Sequence, residues 1–417
     1  MTTSRGRDLI AGLAVGLACL LAATACSEGA SGSSGPTEPS AAGSVSGSAG
    51  STSPSGPAPP VPGRAGKPFV EAPFRNPLPG MPPVVDNDVY AATRAGMLSP
   101  KVAGDPAYVY VPDSKGSTVT VISQRTHKVV RVIRTGYLTQ HVTPSYDLRH
   151  LYANSSAANE FVEIKPGTGK KMRTIAVPRP YNLYFTPDGK QAVVMVEQHD
   201  VIRFSDPRTF KKRDDVSRAG CKGPNHADFS GNGRFMVVTC EFSGTLLKVA
   251  TQSHRVTGVL HFGGMSMPQD VRVSPDGQTF YVADMGSDMV RLVDAAGFKQ
   301  VGRIRMPADP HGLYPSRDGK VMYVSDRGAG KVSVVSFKTN KIVDTWVIPG
   351  GGSPDMGGVS ADGRTLWLSG RYDGEVYAFN TRTGRLVARV PVGVSPHGSA
   401  VWPQPGRYSL GHTGNMR

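Results

Sequence analysis

The stretch Gln269-Asp-Val-Arg-Val-Ser-Pro-Asp-Gly-Gln-Thr-Phe-Tyr-Val-Ala-Asp284, followed by Met289-Val-Arg-Leu-Val293 and Gln300-Val-Gly-Arg-Ile-Arg305, decides the architecture. Gln269–Ser274 alternates into Val271 and Val273, the pattern of a half-buried strand, and Pro275-Asp-Gly277 is a tight turn. Thr279–Ala283 is a second strand, Asp284–Ser287 a loop, and Met289–Val293 a third strand. After another turn at Ala295-Ala-Gly297, the segment Gln300–Arg305 is a fourth. Four short strands joined by Gly/Asp turns form one blade of a β-propeller.

The same turn glycine recurs on either side of this unit, at Gly189, Gly233, Gly277, Gly319, Gly363 and Gly406, with intervals of 44, 44, 42, 44 and 43 residues. A period of this length with only short strands between turns marks a radial β-array. A unit of that size cannot cover its own apolar face, so the copies must pack on one another. Third-strand patterns fall near 119, 161, 201, 246, 290, 332 and 376, and inner-strand patterns near 141, 182, 226, 270, 312, 356 and 398. Seven units of 44 residues need 308, and residues 108–417 number 310. The expected fold is all-β, a seven-bladed propeller of four-stranded antiparallel blades, its ring closed by the N- and C-terminal segments. The C-terminal part supplies the inner strand of the N-terminal blade. Val109–Asp113 and Tyr408–His412 compete to be the second strand of that blade; the N-terminal copy is expected to win because it runs directly into its third strand.

Tyr281-Val-Ala-Asp284, Tyr323-Val-Ser-Asp326, Leu151-Tyr-Ala-Asn154 and Tyr110-Val-Pro-Asp113 recur as second strands, followed by Val290-Arg-Leu-Val293, Lys331-Val-Ser-Val334 and Thr118-Val-Thr-Val121. These copies resemble the YVTN family of β-propellers, including its exported YncE-like members, over about residues 107–417. Met195-Val-Glu197 and Trp367-Leu-Ser369 depart from the pattern.

The N-terminus reads differently. Arg5 and Arg7 precede an apolar run from Leu9 to Ala23, too short for a comfortable membrane span and suited to an export signal. The run ends in Leu-Ala-Ala-Thr-Ala-Cys26, which resembles a bacterial lipoprotein signal with Cys26 lipidated. The expected organisation is a signal peptide over 1–25, a Ser/Gly/Pro-rich disordered tether over 26–63, a lead-in over 64–106 packed on the outside of the head, and the propeller over 107–417. A short helix is expected around Tyr90–Met97. An exported location leaves Cys221 and Cys240, which flank a hairpin turning at Ser230–Gly233, to form a disulfide.

The chain carries a formal charge of +15, which favours anionic partners. No basic run exceeds Lys211-Lys-Arg213, so the charge equally fits arginines scattered over blade surfaces.

The residues opening each inner strand pair as Gln140-His141, Tyr181-Asn182, Asn225-His226, Gln269-Asp270, His311-Gly312, Asp355-Met356 and His397-Gly398. The last five pairs each follow a proline, and every pair carries a polar group at one mouth of the channel. Second strands end at the same mouth with Glu197, Asp284, Arg327 and Arg371. The candidate binding site is therefore Gln140, His141, Asn182, His226, Asp270, His311, Asp355 and His397, ringed by Glu197, Asp284, Arg327 and Arg371. Four histidines invite a metal reading. Because each comes from a different blade, too far apart for four ligands to meet one ion, no metal site and no cofactor are assigned. Pro-His-Gly also serves as a turn formula whose imidazole bonds neighbouring backbone.

No Gly-x-Ser-x-Gly, His-Glu-x-x-His, phosphate-cradling glycine loop or Cys-x-x-Cys-His occurs. The expectation is a monomeric, lipid-anchored binding propeller on the outer face of the cytoplasmic membrane. It holds an unknown protein, glycan or small molecule at its channel mouth and catalyses nothing. Two alternatives stand: a lactonase-like hydrolase, which related propellers imply, and a nucleic-acid-binding propeller, which the YncE-like resemblance permits.

Overall fold

The computed structural model describes residues 72–417. The signal, the tether and Cys26 lie outside the described residues. From Tyr108 onward the chain builds seven four-stranded antiparallel sheets. Their innermost strands are Ala400–Trp402, Thr139–Pro144, Asn182–Phe185, Pro224–Phe229, Pro268–Val273, Pro310–Pro315 and Pro354–Val359. The ring closes as the sequence implies. Ala400–Trp402 pairs antiparallel with Tyr108–Asp113, with Ala400 opposite Tyr110, so the N-terminal segment supplies the second strand.

Burial follows strand position. Inner and second strands such as Pro268–Val273 and Thr279–Asp284 are almost wholly buried. Outer strands such as Lys128–Arg134 are exposed except at Ile133, and this one carries Lys128, Arg131 and Arg134. The apolar cores lie between neighbouring blades: Tyr281, Val290 and Leu292 of one blade pack with Leu313, Met322 and Val324 of the next. No blade is covered without its neighbours, as the period demanded.

The recurring turn has one mechanism at five of its six glycines; Gly406 instead donates to Met97 O and sits at φ +136°. Ser274 Oγ bonds Asp276, Gly277 N donates to Ser274 O at 2.9 Å, and Gly277 sits at φ +70°, where an L side chain is strained. Ser316, Asp318 and Gly319 repeat the arrangement.

Two segments outside the blades seal the lower end of the channel. The lead-in does more than coat the outside. Val89 N donates to Pro275 O at 2.9 Å, and Tyr90, 4 % exposed, reaches under the channel to donate its hydroxyl to Val273 O at 2.8 Å. The expected helix there is one short 3-10 turn, Ala91–Thr93, which ends where Arg94 turns extended at φ −65° and ψ 158°. After Trp402 the chain enters the channel itself. Phe185 N donates to Leu410 O at 2.9 Å and His412 N to Leu183 O at 2.8 Å. Gly411 lies so close that a Cβ would meet Leu183 O at 2.4 Å, and its φ is +97°. Tyr408–His412 is thus a plug lining the inner strands rather than a blade strand.

Cys221 and Cys240 form a disulfide, with Cα atoms 5.2 Å apart. Cys240 stands opposite Pro224 in the hairpin.

Candidate functional site

The inner strands aim their first residues into the channel by a shared device. The ladder register shifts between Pro224 and Ala227, Pro268 and Val271, Pro310 and Leu313, and Pro354 and Gly357. Such a bulge frees two residues from pairing and re-aims their side chains. The freed pairs are Asn225-His226, Gln269-Asp270, His311-Gly312 and Asp355-Met356. A similar shift between Thr139 and His141 frees Gln140.

The histidines converge in the interior. His141, His226 and His412 are all 0 % exposed, with ring centroids 5.5, 5.3 and 4.8 Å apart for 141–226, 141–412 and 226–412. Burial pushes the His141 imidazole down to about 4 and holds His226 and His412 well below the ordinary histidine range, so all three are neutral at pH 7. His141 Nδ1 lies 3.0 Å from Tyr181 O, which accepts its proton and leaves Nε2 bare. The Nε2 atoms of all three residues are buried without a hydrogen-bond partner. Asn182 sets its side-chain amide against the other two rings, 3.2 Å from His226 Nδ1 and 3.1 Å from His412 Nδ1. Gly398 explains the glycine of Pro396-His-Gly398: a Cβ there would stand 2.0 Å from the His141 ring.

Asp355, fully buried, is a second node. His397 Nδ1 donates to its Oδ2 at 2.6 Å, His311 Nδ1 lies 3.0 Å from its Oδ1, and Arg327 Nη1 lies 3.5 Å from the same oxygen. His397 Nε2 in turn faces the Tyr181 hydroxyl at 3.3 Å. The result is a carboxylate–imidazole–phenol chain. Burial, with Glu197 and Glu241 adding to it, pushes the Tyr181 phenol well above its ordinary range, so the chain does not activate it as a nucleophile.

Around the mouth stand Glu197, Glu241, Arg327, Arg371 and Gln140, all partly exposed. Burial and then the Glu241 charge push the Glu197 carboxyl up to about 8, with Arg371 opposing. Burial likewise raises Glu241, which accepts from Asn225 Nδ2 at 2.9 Å. Arg371 donates to Ser114 Oγ at 3.2 Å and to the Ser395 carbonyl at 3.4 Å, both neutral. The Arg327 guanidinium lies 5.6 Å from the centre of the exposed Tyr372 ring.

Two sequence candidates sit elsewhere. Asp284 accepts from Ser266 Oγ and Met267 N, each at 2.8 Å, and from Ser287 and Arg291, all of which clamp its own blade. Asp113 and Asp326 hold the same position and bond Thr120 and Ser333 of their third strands. The aspartate ending the second-strand motif is thus a blade clamp. Asp270 lies deeper in the channel, accepting from Leu313 N at 3.0 Å and facing Arg272 Nη1 at 3.2 Å. Burial raises its carboxyl to about 6, against the pull of Arg272.

The sequence reading missed His412, Tyr181 and Glu241 as site residues. Tyr181 and Glu241 stood at aligned positions and were legible there. His412 follows the last inner strand, in a segment whose repeat pattern reads as a candidate second strand and so hides its place in the channel.

The chain belongs to the YNCE-like beta-propeller family, whose model matches residues 77–405. No curated protein matches it by sequence. Among solved structures it is similar to a functionally unknown protein from Desulfotomaculum acetoxidans DSM 771, with TM-score 0.61 and 17 % identity over 70 % of this chain and 98 % of that one. It is also similar to hydrazine synthase from Kuenenia stuttgartiensis, with TM-score 0.54 and 18 % identity over 68 % and 92 % of the two chains. A third is the dihydro-heme d1 dehydrogenase NirN in complex with DHE, with TM-score 0.55 and 13 % identity over 78 % and 83 %. At these identities the likeness is one of fold alone.

Proposed function

From its membership of the YNCE-like propellers and the geometry of its mouth, we propose that this chain is an exported binding protein. It is tethered through lipid on Cys26 to the outer face of the cytoplasmic membrane, and it holds a small polar ligand with an anionic group without transforming it. The observation that carries this is Arg371, a half-buried guanidinium at the mouth whose hydrogen bonds among the described residues go to neutral oxygens, Ser114 Oγ and Ser395 O. Arg327 stands beside the same opening. With its carboxyl at about 8, Glu197 is protonated at pH 7 and offers a donor rather than a repelling charge. A carboxylate or phosphate meeting two guanidinium groups and a protonated carboxyl gains charge-assisted hydrogen bonds in a partly desolvated setting. The disulfide Cys221–Cys240 supports an oxidising compartment.

The Asp355–His397–Tyr181 chain favours a second, hydrolytic reading, but its phenol is pushed away from the ionised form. The test is a thermal-shift and calorimetric panel of small carboxylates, phosphates and lactones on the purified head. Binding of an anionic compound that is lost in Arg371→Ala supports the reading. Lactone or ester turnover abolished by His397→Gln would establish the hydrolase instead. Oligonucleotide binding that falls steeply with salt would favour the nucleic-acid alternative. For the anchor, Cys26→Ala releases the protein from the membrane fraction; retention there counts against lipidation.

A further inference from the structure

We propose that His141, His226 and His412 form a three-nitrogen binding site for a late first-row divalent cation, Zn2+ or Cu2+. The three side chains come from the second blade, the fourth blade and the C-terminal plug, so the site exists only once the plug is seated. One ligating nitrogen from each residue falls within 4.8 Å of the others. A triangle of that size has its centre about 2.8 Å from each corner. Closing to Zn–N bonds of about 2.0–2.1 Å therefore draws each imidazole inward by less than about 1 Å.

Two features point at an ion rather than at packing, and a third sets what the site must rearrange. The three Nε2 atoms are fully buried with no hydrogen-bond partner among the described residues, a state that a folded interior otherwise avoids. The Tyr181 carbonyl at 3.0 Å from His141 Nδ1 fixes the tautomer that turns a lone pair inward, as the outer partner of a ligating histidine does. Asn182 Nδ2 faces the Nδ1 atoms of the other two rings, so a single amide holds both; ligation through their Nε2 atoms moves each ring proton to Nδ1 and turns the amide, at the expense of its bonds to the Asn225 carbonyl and Leu183 N. Asn182 is thus a positioning residue for two of the three ligands.

The donor set selects the metal class. Imidazole nitrogens without thiolate suit Zn2+ and Cu2+ rather than Mg2+ or Ca2+, which take oxygen ligands. The nearest carboxylate, Asp270, has Oδ1 3.7 Å from His412 Nε2 but is already held by Arg272 and backbone N–H groups. Three protein nitrogens leave a fourth position open, as in metal centres that bind an exogenous ligand. Tyr181, 8 % exposed and edge-on to His141 at 5.0 Å between centroids, stands between this centre and the mouth.

The experiment uses purified protein stripped with chelator and titrated separately with Zn2+, Cu2+ and Co2+. One ion per chain is expected, with Cu2+ held more tightly than Zn2+. Co2+ should give the visible absorption of a four-coordinate nitrogen site. His412→Gln and His141→Asn each weaken binding by more than about tenfold, Asn182→Ala by about 10–100-fold, and His127→Gln, on an outer loop, leaves it unchanged. Arg371→Ala leaves metal binding intact while removing ligand at the mouth, so the two proposals fail separately. No binding to the stripped wild-type protein, or binding unchanged in His412→Gln and His141→Asn, overturns the site. Should those variants not fold, the wild-type Co2+ spectrum decides: an octahedral, oxygen-ligated spectrum overturns it.

Discussion

The two ends of the channel are built from the same seven strands and treat their polar groups in opposite ways. At the lower end, Asp228 is saturated. Its Oδ1 accepts from Phe229 N, Asn415 Nδ2 and Arg417, and its Oδ2 accepts from Val273 N at 2.9 Å. Arg417 is itself buried and lies 5.1 Å from the Tyr90 ring centre. At the upper end, among the described residues, three imidazole nitrogens have no hydrogen-bond partner, Arg371 bonds neutral oxygens, and two carboxyls are pushed up by burial. A closed network is what stability requires of buried charge; an open one is kept where something else completes it. The lower end is therefore structural, and the proposed ligand and metal sites both lie at the upper end.

That contrast can be broken most forcefully with acid. His141, His226, His311, His397 and His412 are all held below the ordinary histidine value, so the unfolded chain binds protons that the folded one refuses. Stability is then present above about 6.5 and is lost as pH falls toward 4. His141 alone accounts for about 3 kcal/mol at pH 4, and the other four act in the same direction. Urea melts at several pH values read this directly, and a flat profile between pH 7 and 4 would contradict it. Saturation with Zn2+ should shift the transition to lower pH.

The lower end breaks by mutation. Asp228→Ala strands Arg417 in the interior and should cost about 3–5 kcal/mol in chemical denaturation. The upper rim responds more mildly and with the opposite pH sign. The folded chain keeps the Glu197 proton up to about 8 against an ordinary 4.5, so this group stabilises fully below 4.5 and its contribution disappears as pH rises through 8. Glu197→Gln should remove that slope between 4.5 and 8 and leave the histidine limb below 4.5 untouched. The smallest expected effect on stability is that of Arg371→Ala, within about 1 kcal/mol, although it abolishes mouth binding.

Much of the fold was legible because its signals are local and repeated. The turn glycines, the alternating strands and the prolines before inner strands each constrain a few adjacent residues, and seven copies multiply the signal. The Cys221–Cys240 pairing was legible for the same reason, since a hairpin register is short-range. The site was read in part. Aligned positions identified His141, His226, His311, His397 and Asp355, but could not separate Asp284, consumed within its blade by Ser266, Ser287 and Arg291, from Glu197, which faces the mouth.

The sequence by itself determined a closed ring of seven sheets, its seam and its disulfide, because periodic local propensities and nearest-neighbour burial leave one consistent arrangement. Only the tertiary structure decided what fills the middle. Where Tyr408–Arg417 and Tyr90 go depends on contacts between residues hundreds of positions apart, such as Asn182 with His412 and Asp228 with Arg417. Those contacts are made by burial of single polar side chains, which leaves no period in the sequence to read.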